Sequence, residues 1–103
     1  MTEQEMKRCI EEALHDVEDP EAGINIVDMG LVYDIACVPE TGEVNVAMTL
    51  TTPACPAGEV IVLGVERRLL RVSGVLSVNV RLVFEPRWTS ARITQEGLAA
   101  LGW

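Results

Sequence analysis

Two alternating segments with a single helix-period segment between them dominate the chain and restrict its fold more than any other feature. "EVNVAMTL" (43–50) sets Val44, Val46, Met48 and Leu50 on one side and Asn45, Ala47, Thr49 and then Thr51 on the other, the period-two pattern of a half-buried strand. "VLSVNVRLVF" (75–84) repeats it through Val78, Val80, Leu82 and Phe84. Between them "AGEVIVLGVERRLLRV" (57–72) is apolar where it starts and basic where it ends, as expected of a helix with a buried start and a wet last turn, closed by Ser73 and Gly74. Such a helix carries the third strand back beside its predecessor. Upstream, "GLVYDIACV" (30–38) and "PETG" complete a hairpin with the 43–50 strand, with Leu31, Tyr33, Ile35 and Cys37 on its core face.

The flanks supply two more helices. Met6, Cys9, Ile10, Ala13, Leu14 and Val17 fall at spacings of three and four, one apolar stripe over residues 2–17, and Thr2 with Glu5 has capping-box spacing. Cys9 belongs to that stripe and reads as a core thiol. Pro20 and Gly23 end the helix in "EDPEAG", and loop follows to about Asp28. "EPRWTSARI" leaves the sheet at Pro86, and "TQEGLAALGW" reads as a short terminal helix. The order α-β-β-α-β-α predicts one α+β domain over 1–103, a two-layer sandwich with helices on one face of a three-stranded sheet. Its other face, with Ala47, Thr49, Thr51 and the Trp88 segment, is a candidate interaction surface.

Charge and cysteine usage narrow the function. With 16 acidic against 8 basic residues the net charge is −8, so phosphate backbones are repelled and nucleic acid is not an expected partner. The basic run "ERRLLR" (66–71) reads as a solvated helix end. No apolar run reaches the roughly 18 residues of a membrane span, and the acidic, helical start does not resemble a secretory signal. A cytoplasmic protein is expected. Three cysteines, an odd number without a C-x-x-C pair, fit a reducing compartment.

One cysteine is placed unlike the others. In "LTTPACPAG" (50–58) Cys55 stands between Pro53 and Pro56 where a strand passes into the amino end of a helix. Free N–H groups and the positive dipole end there stabilise a thiolate, lowering thiol pKa values from about 8.5 to roughly 3.5–7.5. Thr51 and Thr52 offer hydroxyls to the sulfur or its cargo, and Gly58 permits close approach. A stiff turn whose cysteine fills a gap is the structural alternative. Phosphatase-type C-x5-R fails at Ile61, redox C-x-x-C fails at Gly58, and the peroxiredoxin pattern lacks its earlier proline, which falls at Met48. His15, the one histidine, lies on the polar side of the first helix, so a Cys/His dyad has little support.

"DPEAGINIVDMGLVYDIAC", "VNVAMTLTTPACP" and "EPRW" together resemble the iron–sulfur cluster assembly proteins of the SufT and PaaD type, over about residues 3–103. The absence of a cysteine-rich extension favours the shorter SufT-like branch. The resemblance implies a compact α+β domain that helps mature iron–sulfur proteins. It matches Cys55 to the motif cysteine and a metal-ligand role, with Asp19, Pro20, Glu21, Asp28, Gly30, Thr49, Thr51, Thr52 and Pro56 on the other motif positions. Asp19 and Glu21 would act as hard ligands or orient a donor loop.

A cluster takes four protein ligands, and one well-placed thiol is not enough. Either two subunits bridge a cluster through Cys55 of each, which implies a homodimer, or Cys55 binds cluster or iron transiently while an assembly protein or apo-protein client supplies the rest. The leading expectation is therefore an assembly or carrier factor without turnover. The alternatives are a thiol-dependent redox enzyme with Cys55 as nucleophile, and a non-catalytic adaptor.

Overall fold

The structure is a computed structural model, and it describes residues 1–53 and 56–102. Helix α1 (Glu3–Leu14) starts at a complete capping box: Thr2 Oγ1 accepts from the Glu5 N–H at 3.1 Å, and the Glu5 carboxylate accepts from the Thr2 N–H at 3.3 Å. Met6, Ile10, Ala13 and Leu14 form its buried stripe. The helix stops three residues short of Val17, which stays buried in the tight turn that follows, with its N–H on the Leu14 carbonyl. Cys9 lies half-buried at the margin of the stripe, not in the core where the spacing put it.

The expected loop holds a minimal two-stranded sheet, β1 (Glu18–Asp19) antiparallel to β2 (Ile24–Asn25). The main sheet has the order β3-β4-β5, with β3 (Val32–Val38) antiparallel to β4 (Glu43–Met48) and β4 parallel to β5 (Ser77–Leu82). The hairpin and the returning third strand are as the alternation predicts. Helix α2 (Gly58–Leu69) makes the crossover, and its Arg68 pairs with Asp16 at 3.0 Å beyond the end of α1. Both partners are substantially exposed, so the pair contributes about 0–1 kcal/mol.

Ile35, Cys37, Val44, Val46 and Met48 turn inward against Met6, Ile10 and Leu14 of α1 and Ile61, Val65 and Leu69 of α2. Each such aliphatic side chain stabilises the fold by about 1.5–3 kcal/mol. Tyr33 departs from the alternation. Val32 pairs with Met48 and Asp34 with Ala47, so Tyr33 is the extra residue of a bulge and does not join the core face. Its hydroxyl donates to the Pro86 carbonyl at 2.8 Å, and the Arg92 guanidinium lies 4.5 Å above its ring.

The one-face arrangement holds for α1 and α2. Helix α3 (Gln95–Leu101), which follows a 3₁₀ turn at Ser90–Arg92, packs against β2, with Leu98 and Leu101 half-buried on the core.

Candidate functional site

Backbone hydrogen bonds bring the motif segments to one end of the sheet. The Ile26 N–H donates to Val17, the Leu31 N–H to Ile26 and the Thr49 N–H to Leu31, at 2.8–3.0 Å, which links the β1–β2 hairpin to the end of β4. Val83 donates to Met48 at 2.8 Å, joining the end of β5 to the same place. Here two parallel strands finish and α2 begins, the end of a strand–helix–strand unit at which open α/β sheets bind ligands.

The acidic turn contributes one buried and one exposed carboxylate. Asp19 is only 2% exposed, and its Oδ1 accepts the Glu21 N–H at 2.9 Å while its carbonyl accepts from Gly23 at 2.8 Å. It therefore shapes the turn from within. Glu21 stands on the surface.

Beyond Met48 the regular alternation stops, which separates two threonines expected on the same face. Thr49 is 1% exposed, its hydroxyl directed at the Leu50 carbonyl at 3.4 Å, whereas Thr51 and Thr52 are exposed. Thr49, Thr51 and Pro53 line a hollow of about 250 Å³ closed by Phe84, Arg87 and Trp88, so the Trp88 segment does lie over this part of the sheet. Ala57 occupies the N-cap of α2 and, as an alanine, has no side-chain acceptor for the first-turn N–H groups. Gly58 serves packing, because a Cβ there would stand 2.8 Å from Leu50 Cδ1. Cys55, with Ala54, lies outside the described residues.

The segment before β3 is fastened on every side. Asp28 accepts from Asn25 Nδ2 at 2.7 Å and from the Thr94 hydroxyl at 2.9 Å, and its carbonyl accepts from the Thr94 N–H at 2.9 Å. Thr94 is also the N-cap of α3, accepting from Gly97 at 3.0 Å, so one carboxylate organises both the loop and the start of that helix. The Trp88 indole donates to the Met29 carbonyl at 2.8 Å. Gly30 has φ +74°, and a Cβ would collide with the Arg92 carbonyl. Residues 59 and 66 positions apart make these contacts, and no local pattern signals them.

A family profile described as iron-sulfur cluster assembly protein matches residues 7–81. The chain belongs to that family. Among relatives, a Fe-S protein maturation auxiliary factor of Porphyromonas gingivalis is 40% identical over 87% of this chain and 85% of its own length. The Fe-S protein maturation auxiliary factor YitW of Bacillus subtilis is 38% identical over 97% of both. The crystal structure of a domain of unknown function from Bacillus anthracis superposes with a TM-score of 0.92 at 33% identity, covering 97% of this chain and 94% of that one.

Cys37 is placed unlike a ligand. Cys37 pairs with Val44, four residues along β4 from Met48 and so about 13 Å from the motif end of the sheet. It is buried, its Sγ donates to the Glu3 carbonyl at 3.5 Å, and burial, assisted by the Glu3 charge and opposed by Lys7, pushes its thiol up. His15 is exposed, with Nδ1 2.9 Å from the Glu11 carbonyl. Among the described residues no three His, Cys, Asp or Glu side chains converge on a metal position.

Proposed function

We propose that this protein is a maturation factor that holds an iron–sulfur cluster, or iron, transiently on Cys55 and passes it to apo-protein clients, without catalytic turnover. The observation that carries the reading is the family match over residues 7–81 together with the meeting of its motif segments where β4 and β5 end and α2 begins. In the sequence Cys55 stands three residues before Gly58, the first residue of α2, and two before its N-cap Ala57, which has no side-chain acceptor. Positive first-turn N–H groups favour the thiolate, the form that binds iron. Thr51 and Thr52 precede Cys55 in sequence and supply hydroxyl donors. Asp19 holds the turn that presents Glu21, and Glu21 acts as the polar ligand or orienting group.

One thiolate leaves a cluster short of ligands. The others come from Cys55 of a second copy in a two-fold dimer, or from the assembly protein or client during hand-over. The working compartment is the cytoplasm, where the thiol stays reduced. No helix among the described residues is long and apolar enough to cross a membrane.

Anaerobic reconstitution with iron and sulfide tests this. The expected result is visible cluster absorption that elutes with a dimer at about one [2Fe–2S] per two chains, and its loss in Cys55→Ser. Cluster retained by Cys55→Ser would remove Cys55 from the site. Cluster on a monomer would remove the shared arrangement, and no cluster even with a partner present would favour the adaptor role.

A further inference from the structure

An apolar groove of about 670 Å³ runs between α2 and the end of β5, with Leu50, Val62, Leu63, Leu82 and Phe84 in its walls. Leu82 and Phe84 were expected on the core face of the third strand, yet each is 38% exposed, and Leu63 is 44% exposed. The sheet's apolar face therefore continues past the cover that α1 and α2 supply. Two carboxylates, Glu59 and Glu66, stand on the α2 side of the groove. They are seven residues apart, two helical turns or about 10.5 Å along one face. Among the described residues neither is in an ion pair.

An apolar trough bounded by two carboxylates selects an occupant that is apolar on one side and cationic at its edges. A second copy of this chain seats poorly in this groove, because its own Glu59 and Glu66 would meet the same charges. We propose that the groove docks an amphipathic helical segment of a partner protein, its apolar anchors at i, i+3/i+4 and i+7 in the trough and Lys or Arg residues seven apart against Glu59 and Glu66. Pro53, before Cys55 in the chain, and Gly58, after it, also line the groove. A docked segment thus lies against residues that precede and follow Cys55 in the chain. The groove's part in recognising a client or cluster donor rests on the carrier reading, whereas its occupancy does not.

The test uses metal-free, isotope-labelled protein and two synthetic helical peptides of about 14 residues, identical in apolar pattern, one carrying lysines and the other glutamates at the flanking positions. The lysine peptide is expected to shift the backbone amides of Val62, Leu63, Leu82 and Phe84, with affinity that falls as salt is raised. Leu63→Asp, at an exposed position, should weaken it about tenfold. Glu59→Lys and Glu66→Lys together should reverse the preference toward the glutamate peptide, a gain that misfolding cannot mimic. Equal binding of both peptides, no binding of the lysine peptide, or shifts confined to other surfaces would overturn the proposal. So would shifts of the same amides on self-association without peptide, which would make a second copy the occupant. Iron uptake by Cys55 is read separately, so failure here leaves the carrier reading standing.

Discussion

Residues 25–30 and residues 49–58 both carry motif positions of one family, and they are built in opposite ways. In the first, Asp28 directs its carboxylate and its carbonyl into the fold, Met29 receives the Trp88 indole, and Gly30 leaves room for the Arg92 backbone. In the second, Thr51, Thr52 and Pro53 are exposed and the helix that follows begins at an alanine N-cap. The contrast teaches that a motif residue is not thereby a reactive one. Hydrogen bonds that close inward make a scaffold, and the proposed chemistry is assigned to the turn whose Thr51, Thr52 and Pro53 stand exposed.

The largest effect that would sharpen this contrast is expected from Gly30→Ala. Positive φ and the collision with the Arg92 carbonyl together cost about 2–4 kcal/mol. At about 4–8 °C per kcal/mol, the melting temperature should fall by at least ~8 °C. Gly74→Ala, at φ +88° but with open space around the added Cβ, separates the two causes and should lose about 1 kcal/mol. Equal losses at the two glycines would show that the close approach to Arg92 does not matter.

Next comes Trp88→Phe, which keeps a benzene ring but removes the pyrrole ring with its N–H, leaving the Met29 carbonyl without its indole donor. A loss of about 1 kcal/mol in urea unfolding is expected, with cluster binding unchanged. Unaltered stability would mean that the indole bond is not part of the scaffold.

The smallest effect on stability, and the sharpest on reactivity, concerns the thiols. A brief iodoacetamide pulse at neutral pH should modify Cys55 first, half-buried Cys9 later and buried Cys37 last. Burial and Glu3 raise the Cys37 thiol above its ordinary value of 9.0. Because the folded value is the higher one, the unfolded chain ionises first. The thiol's contribution is intact below the ordinary value and is lost as pH rises through the folded one, so alkaline pH weakens the fold. Peptide mapping across pH 8–10 should therefore find Cys37 modified only as the protein opens. Early labelling of Cys37 at neutral pH would contradict its place in the core.

Local chemistry made much of the fold legible. Thr2 and Glu5 are three residues apart and meet within one helical turn, Met6, Ile10, Ala13 and Leu14 share a stripe, and Val44, Val46, Met48 and Leu50 alternate into the core. Each of these depends on neighbours within a few positions. What could not be read depends on contacts made across the chain. The Tyr33 bulge is set by pairing with β4 and by Pro86 and Arg92, the burial of Thr49 by the segment that returns over it, and the role of Asp28 by Thr94. Asp19 read as a candidate ligand because its burial arises only when the β1–β2 hairpin folds back. The strand, turn and helix around 50–58 were also legible, since β4 ends at Met48 and α2 begins at Gly58, whereas Cys55 lies outside the described residues.

The central claim is that the 49–58 turn acts and the 25–30 segment supports. Melting temperature and anaerobic transfer of cluster to an apo-ferredoxin, both measured on Cys55→Ser and Asp28→Ala, test it most directly. A crossing is expected. Cys55→Ser should stay within about 0.5 kcal/mol of the parent and transfer no cluster, while Asp28→Ala should lose about 1–3 kcal/mol and still transfer at the parent's rate below its melting range. Transfer retained by Cys55→Ser, or abolished in folded Asp28→Ala, would contradict it.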